Sequence, residues 1–314
     1  MMSHSPAGEG LGVGLLPALR CNASKSFSHL PYTTDKKLNG KLVVIDVGTF
    51  NGQIMVFGGV YSNLPALERL MEIADELGIP AGNIICTGDI VGYCAEPEEC
   101  VQRIRQWGVH AIAGNVEMQL RNREDDCGCN FNQGSRCDLF SRQWYPYAQA
   151  RLSEASIQWM RTLPHHLRFA YGPARVCVLH GSCTDPSEFV FRSTPWARKQ
   201  PDFEATQADV ILAGHCGLPF HHAQDGLLWL NAGVIGMPAN DGTPRVWYLT
   251  LDIQEEVFLY RHQSYVYDHE SAASRMEQHR LPREYSETLR TGLWDNCEIL
   301  PEEETGAMGR EIVF

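Results

Sequence analysis

The sequence predicts an α/β protein built from βαβ units around a largely parallel sheet. Short β-branched runs recur at 53–57, 83–87, 109–113, 175–180 and 209–213, and each has the length and composition of a buried strand. Helical periodicity fills the gaps between the first three. Leu64, Leu67, Leu70, Ile73 and Leu77 precede Gly78, and Cys100, Val101, Ile104 and Trp107 precede Gly108. Glycine just past an apolar helical stripe is a helix stop. Strand and helix alternating in this way indicate parallel strands with crossover helices.

Residues 1–40 are rich in Gly, Ser, Pro and Ala with no period of two or 3.6, and are expected to form a poorly ordered tail. The apolar stretch 11–19 has no basic segment before it and does not read as a secretory signal. The main domain is expected over 41–267. Its last strands, at 227–231, 245–251 and 256–260, follow one another without helices and are expected to be antiparallel strands completing a second sheet. A polar helix is expected over 268–290, within a C-terminal extension (268–314) that ends in an acidic tail around Glu302–Glu304.

Composition removes several classes of function. The chain has 314 residues, 44% of them hydrophobic and a net charge of −12. That supports a sizeable core, and the hydrophobic content excludes a disordered protein. No apolar run approaches the ~18 residues of a membrane span. The negative charge opposes general nucleic-acid binding. Eleven cysteines, an odd count, read as reduced thiols in a cytoplasm. Cys127, Cys129 and Cys137 stand apart in an insertion at 124–138, poor in apolar residues. It is read either as a cap stapled by metal or disulfide or as a surface insertion with incidental thiols.

In an open α/β sheet, ligands gather beyond the carboxyl ends of the strands. Gly88-Asp89 follows 83–87, Gly114-Asn115-Val116-Glu117 follows 109–113, His180-Gly181 closes the next strand, and Gly214-His215 follows 209–213. Each residue alone is an ordinary turn or core residue. Together, Asp89, Asn115, His180 and His215 form a set of carboxylate, amide and two imidazoles. That set suits Zn, Mn or Fe better than the all-oxygen preference of Ca.

These blocks, with Ser62-Asn63-Leu64-Pro65, Gly88-Asp89-Ile90-Val91-Gly92-Tyr93 and Asn231-Ala232-Gly233-Val234-Ile235-Gly236, make the chain resemble the calcineurin-like metallophosphoesterases, in their small bacterial phosphodiesterase branch, from about residue 53 to 267. The resemblance implies a four-layer α/β/β/α sandwich with two metal ions at the strand ends. It also implies hydrolysis of a phosphomonoester or phosphodiester, with a phosphorylated small molecule or nucleotide as ligand.

The departures from the family pattern sort by ion. The resemblance assigns Asp89, Asn115, His180 and His215 as the full ligand set of one ion. For the other, the Asp-x-His that would open the pattern reads Gly59-Val60-Tyr61, and the last histidine reads Gly217. One divalent or trivalent transition-metal ion (Mn, Fe or Zn) per chain is therefore expected. Val116 replaces the family's catalytic histidine, which leaves Glu117 and Tyr61 as the catalytic candidates. Glu117 would act as acid or orient a water. Tyr61 would either ligate ferric iron or pack over a vacated cavity. Asp46 lies one strand too early for the pattern and reads as a turn residue. A weak or inactive member that binds a phosphoryl ligand or a protein is the alternative to the enzyme.

Overall fold

Eleven strands sort into two mixed sheets in the computed structural model, which describes residues 42–314. The strands are β1 (Val44–Thr49), β2 (Ile54–Phe57), β3 (Ile84–Cys86), β4 (His110–Ala111), β5 (His166–Tyr171), β6 (Ala174–Val178), β7 (Val210–Ala213), β8 (Pro219–Gln224), β9 (Leu227–Ala232), β10 (Val246–Gln254) and β11 (Val257–Tyr265). The first sheet runs β11-β10-β2-β3-β4 and the second β1-β5-β6-β7-β9-β8. The helices are α1 (Leu64–Glu76), α2 (Pro97–Trp107), α3 (Asn115–Asn122), α4 (Arg136–Arg151), α5 (Glu154–Met160), α6 (Trp196–Thr206), α7 (His269–Gln278), α8 (Arg283–Thr291) and α9 (Glu302–Gly306). The tail expected over 1–40 lies outside the described residues.

The period-two alternation of the strands separates three apolar layers. Ile54 and Val56 of β2 face the other sheet and meet Val176 and Val178 of β6 and Leu228 and Leu230 of β9. Their neighbours Met55 and Phe57 face outward onto Leu67, Leu70 and Ile104 of α1 and α2. On the second sheet, Cys177, Ile211 and Trp229 turn outward onto Phe203 of α6. With both faces covered, these strands read as continuous apolar runs in the sequence, as parallel strands do.

The two helices read from periodicity form with the expected ends. The Asn63 side chain accepts from the Ala66 N–H at 3.2 Å and caps α1. Gly108 closes α2 in the left-handed conformation at φ 76°.

Several expectations are corrected. The three late strands do not complete one sheet: β9 lies between β7, in parallel (Ala213 beside Asn231), and β8, antiparallel, whereas β10 and β11, antiparallel as expected, extend the first sheet through β2 (Val56 beside Leu249). The helix expected over 268–290 is two, α7 and α8, broken at Pro282, whose ring removes an N–H donor. Asp46 is not in a turn: it lies in β1 and accepts a bond from Arg168 Nε at 3.0 Å. The segment around Glu302–Glu304 is the short helix α9, and Glu304 accepts from the Ser193 N–H (3.0 Å) and hydroxyl (2.6 Å). Beyond it, Phe314 stacks on His262 at 4.1 Å. No helix of the described residues is long and apolar enough to cross a membrane.

Candidate metal centre

β3 and β4 of one sheet and β6 and β7 of the other end at the same place. The turn after β3 presents Asp89, the first residue of α3 is Asn115, and His180 and His215 follow β6 and β7. These turns come so close that only glycine fits. A Cβ on Gly114 would overlap the Asp89 carboxylate. Asp89 and His215 themselves hold left-handed backbone conformations at φ 55° and 58°. Strain of that kind persists only where the surroundings impose it.

The four donor groups converge. His180 Nε2 lies 3.2 Å from Asp89 Oδ2, 3.1 Å from Asn115 Oδ1 and 3.2 Å from His215 Nδ1. Two ligands each about 2.1 Å from one ion are separated by about 3.0–3.5 Å, so this set has the spacing of a single coordination sphere. Among the described residues, Asp89, His180 and His215 are the cluster of metal-binding side chains that could hold an ion.

The supporting bonds aim each lone pair inward. His180 donates its Nδ1–H to the Thr87 carbonyl at 2.7 Å, leaving Nε2 free. Asn115 donates from its amide nitrogen to the Cys127 carbonyl (2.9 Å) and the Cys129 sulfur (3.2 Å), so its oxygen points at His180. The insertion therefore acts on a ligand candidate. Among the described residues every cysteine is free and no disulfide staples this segment.

Electrostatics suit a cation. Burial alone would raise the Asp89 carboxyl, but the imidazoles of His180 and His215 and the Val116 amide hold it below the usual carboxylate range. Burial and the neighbouring His180 push His215 down to about 3, which keeps it a neutral ligand. His180 is held above its usual value by Asp89 against the opposing effect of burial.

The two catalytic candidates lie differently from what acid–base chemistry asks. Glu117 is fully buried. Its carboxylate accepts from the backbone N–H of Asp89 (2.8 Å), Gly114 (2.9 Å) and Val91 (3.0 Å), so both oxygens are committed. It ties the two metal-bearing turns together. Burial and the Asp89 charge push it up to about 7.

Tyr61 packs against Gly59 and Gly92. A Cβ on Gly59 would overlap its ring, and a Cβ on Gly92 would meet the ring at 2.8 Å. The tyrosine thus fills the space that a side chain at position 59 would need. Gly217 is less crowded: a Cβ there would make ordinary contact with the Trp294 ring at 3.6 Å.

Sequence reading missed the wall of this site. Phe189 stacks on His215 at 4.4 Å, Tyr93 meets Tyr61 edge-on at 4.7 Å, and Trp294 lines the same cavity. No local pattern marks Phe189 or Trp294, and Tyr93, which closes the Gly88–Tyr93 block, had no role assigned to it. They come from three separate segments that only the fold brings together.

The comparisons with known proteins agree with this architecture. An uncharacterised protein of Methanocaldococcus jannaschii is 25% identical over 259 residues, covering 76% of this chain and 98% of its own length. Among solved structures, a metallophosphoesterase from Sphaerobacter thermophilus matches with a TM-score of 0.60 at 22% identity, over 77% of this chain and 99% of that one. A hypothetical protein from Pyrococcus horikoshii matches with a TM-score of 0.63 at 19% identity and the same coverages. These two likenesses speak for the fold. A model of the calcineurin-like phosphoesterase superfamily domain matches residues 53–256, the stretch that carries β2 to β10 and all four donor residues, and the chain belongs to that family.

Proposed function

We propose that the protein is a metal-dependent phosphoesterase working with one ion, held by Asp89, Asn115, His180 and His215. The convergence of the other three donors on His180 Nε2 at 3.1–3.2 Å carries the reading. A Zn, Mn or Fe ion there would supply Lewis acidity to a phosphoryl oxygen and activate water. The chain's own residues set the stage. Glu117 holds the Asp89 and Gly114 amides in register, Thr87 fixes the His180 tautomer, and Cys127 and Cys129 turn Asn115.

The second ion of the family is absent from this reading, because positions 59, 61 and 217 are Gly, Tyr and Gly and the Tyr61 ring fills the space beside Gly59. With Val116 in place of an acid histidine, turnover is expected to be about 10²–10⁴ slower than with one. The substrate is a phosphorylated small molecule or nucleotide. The free cysteines fit a cytoplasmic setting.

Elemental analysis tests this directly. About one equivalent of transition metal per chain is expected, lost in His180→Ala, with metal-dependent cleavage of bis(4-nitrophenyl) phosphate. Two equivalents, or none after incubation with Zn, Mn and Fe salts, would overturn it. A second reading, a non-catalytic phosphoryl binder, is favoured by the full commitment of Glu117 to backbone amides. One bound ion with ligand binding but no cleavage would establish that reading instead.

A further inference from the structure

We propose that the cavity over the ligand cluster is a slot for a flat, uncharged ring carried by the phosphoester, with Trp294 as the residue that selects for it. The proposal rests on the phosphoesterase reading, because it seats the phosphoryl group at Asp89, His180 and His215 and asks what lies beside it. The residues that cover the slot come from 285–299, beyond the segment matched by the family.

Aromatic rings line the slot. Phe189 lies against His215, with Phe131 of the insertion stacked on it at 6.4 Å. Tyr93 also lines it and meets both Tyr61 and Tyr285 edge to face, at 4.7 Å in each case. Trp294 covers them. Its indole N–H donates to the Pro238 carbonyl and its backbone N–H to Asn240 Oδ1, both at 2.8 Å, so the ring is held in place. The covering segment is tied to the insertion as well, through Arg136 Nη2 to Asp295 at 2.7 Å and the Cys137 thiol to Asn296 at 3.5 Å.

Charge narrows the occupant. No lysine or arginine is among the described residues lining the slot, and Asp295 there is already paired with Arg136. A second phosphate entering it would be buried without a cation, which is costly. A ring would instead stack on aromatic faces. Among the described residues, the hydroxyls of Tyr61, Tyr93 and Tyr285 have no hydrogen-bond partner, which leaves neutral donors for ring heteroatoms or phosphoryl oxygens. The substrate class is a phosphoester with one phosphoryl group and a planar apolar substituent, not a polyphosphate.

Diphenyl phosphate and dimethyl phosphate, two monoanions that differ in their rings, separate the possibilities. Calorimetry on the full, zinc-loaded chain should give binding of diphenyl phosphate at least about tenfold tighter than of dimethyl phosphate, about 1.4 kcal/mol. Trp294→Ala should erase about tenfold of the diphenyl affinity while leaving dimethyl phosphate and the zinc content unchanged, and Trp294→Phe should restore most of it. Equal affinities for the two esters, or an unchanged diphenyl affinity in Trp294→Ala, overturn the slot and leave the phosphoesterase reading standing. Diphenyl affinity that survives removal of the metal by chelation overturns the phosphoesterase reading and leaves the slot.

Discussion

Glu117→Gln distinguishes a backbone clamp from a catalytic acid. One carboxylate oxygen accepts the Asp89 and Gly114 amides and the other accepts Val91. Glutamine can reproduce the first oxygen, but its NH₂ group then faces the Val91 N–H, donor against donor. A buried amide left unpaired costs about 1–3 kcal/mol, and two charge-assisted bonds become neutral ones, worth roughly 1 kcal/mol less each. Relief from burying the carboxylate offsets part of this, leaving an expected net destabilisation of about 2–3 kcal/mol. Because the clamp joins the turns bearing Asp89 and Asn115, metal affinity should fall by about 10–100-fold. Urea unfolding followed by tryptophan fluorescence, with metal content measured on the same samples, reads both effects. A variant as stable and as metal-rich as the parent, but with one limb of its pH–rate profile missing, would refute the clamp and make Glu117 the acid.

Gly59→Ala should destabilise the protein by about 1–3 kcal/mol through overlap with the Tyr61 ring, and most of that cost should vanish in a Tyr61→Ala background. Equal cost in both backgrounds, read by thermal melting, would show that the ring does not fill that space. Asp89→Asn should lose the ion on elemental analysis, whereas Asp46→Asn should retain it, since Asp46 is engaged with Arg168 on β1; the reverse would place the first motif on the wrong strand. Two buried histidines should also oppose the fold in acid. Burial depresses His166 and His262 from 6.5 to about 3, so their contribution is complete above pH 6.5 and is lost as pH falls towards 3. At pH 5 each should cost about 2 kcal/mol. Comparing the urea midpoints of the metal-stripped parent and of His262→Gln at pH 7.5 and 5.0 isolates one histidine from the opposing effect of Glu117, whose raised carboxyl favours the fold as pH falls; the same pH dependence in both proteins would contradict it.

What the sequence by itself determined is local. α1 and α2 follow from the spacing of their own apolar residues and from the glycines that end them. The four donors could be read because each sits directly after a strand, and in this architecture the residue after a strand is at the sheet edge whatever else the chain does. The tertiary structure decided what depends on distant partners. Whether β9, β10 and β11 complete one sheet or divide between two is a choice of backbone hydrogen-bond partner, which side-chain pattern does not specify. Glu117 could be read as an acid until the fold brought the Asp89 and Val91 amides onto its oxygens. Tyr61 had two readings until Gly59 and Gly92 were seen to leave room for its ring. Trp294 carries no local signal at all. Its place over Gly217 arises because the chain after α8 returns across the carboxyl edge of the strands, bonding to Pro238 and Asn240 more than fifty residues earlier, and packing at that separation leaves no periodic trace in a sequence.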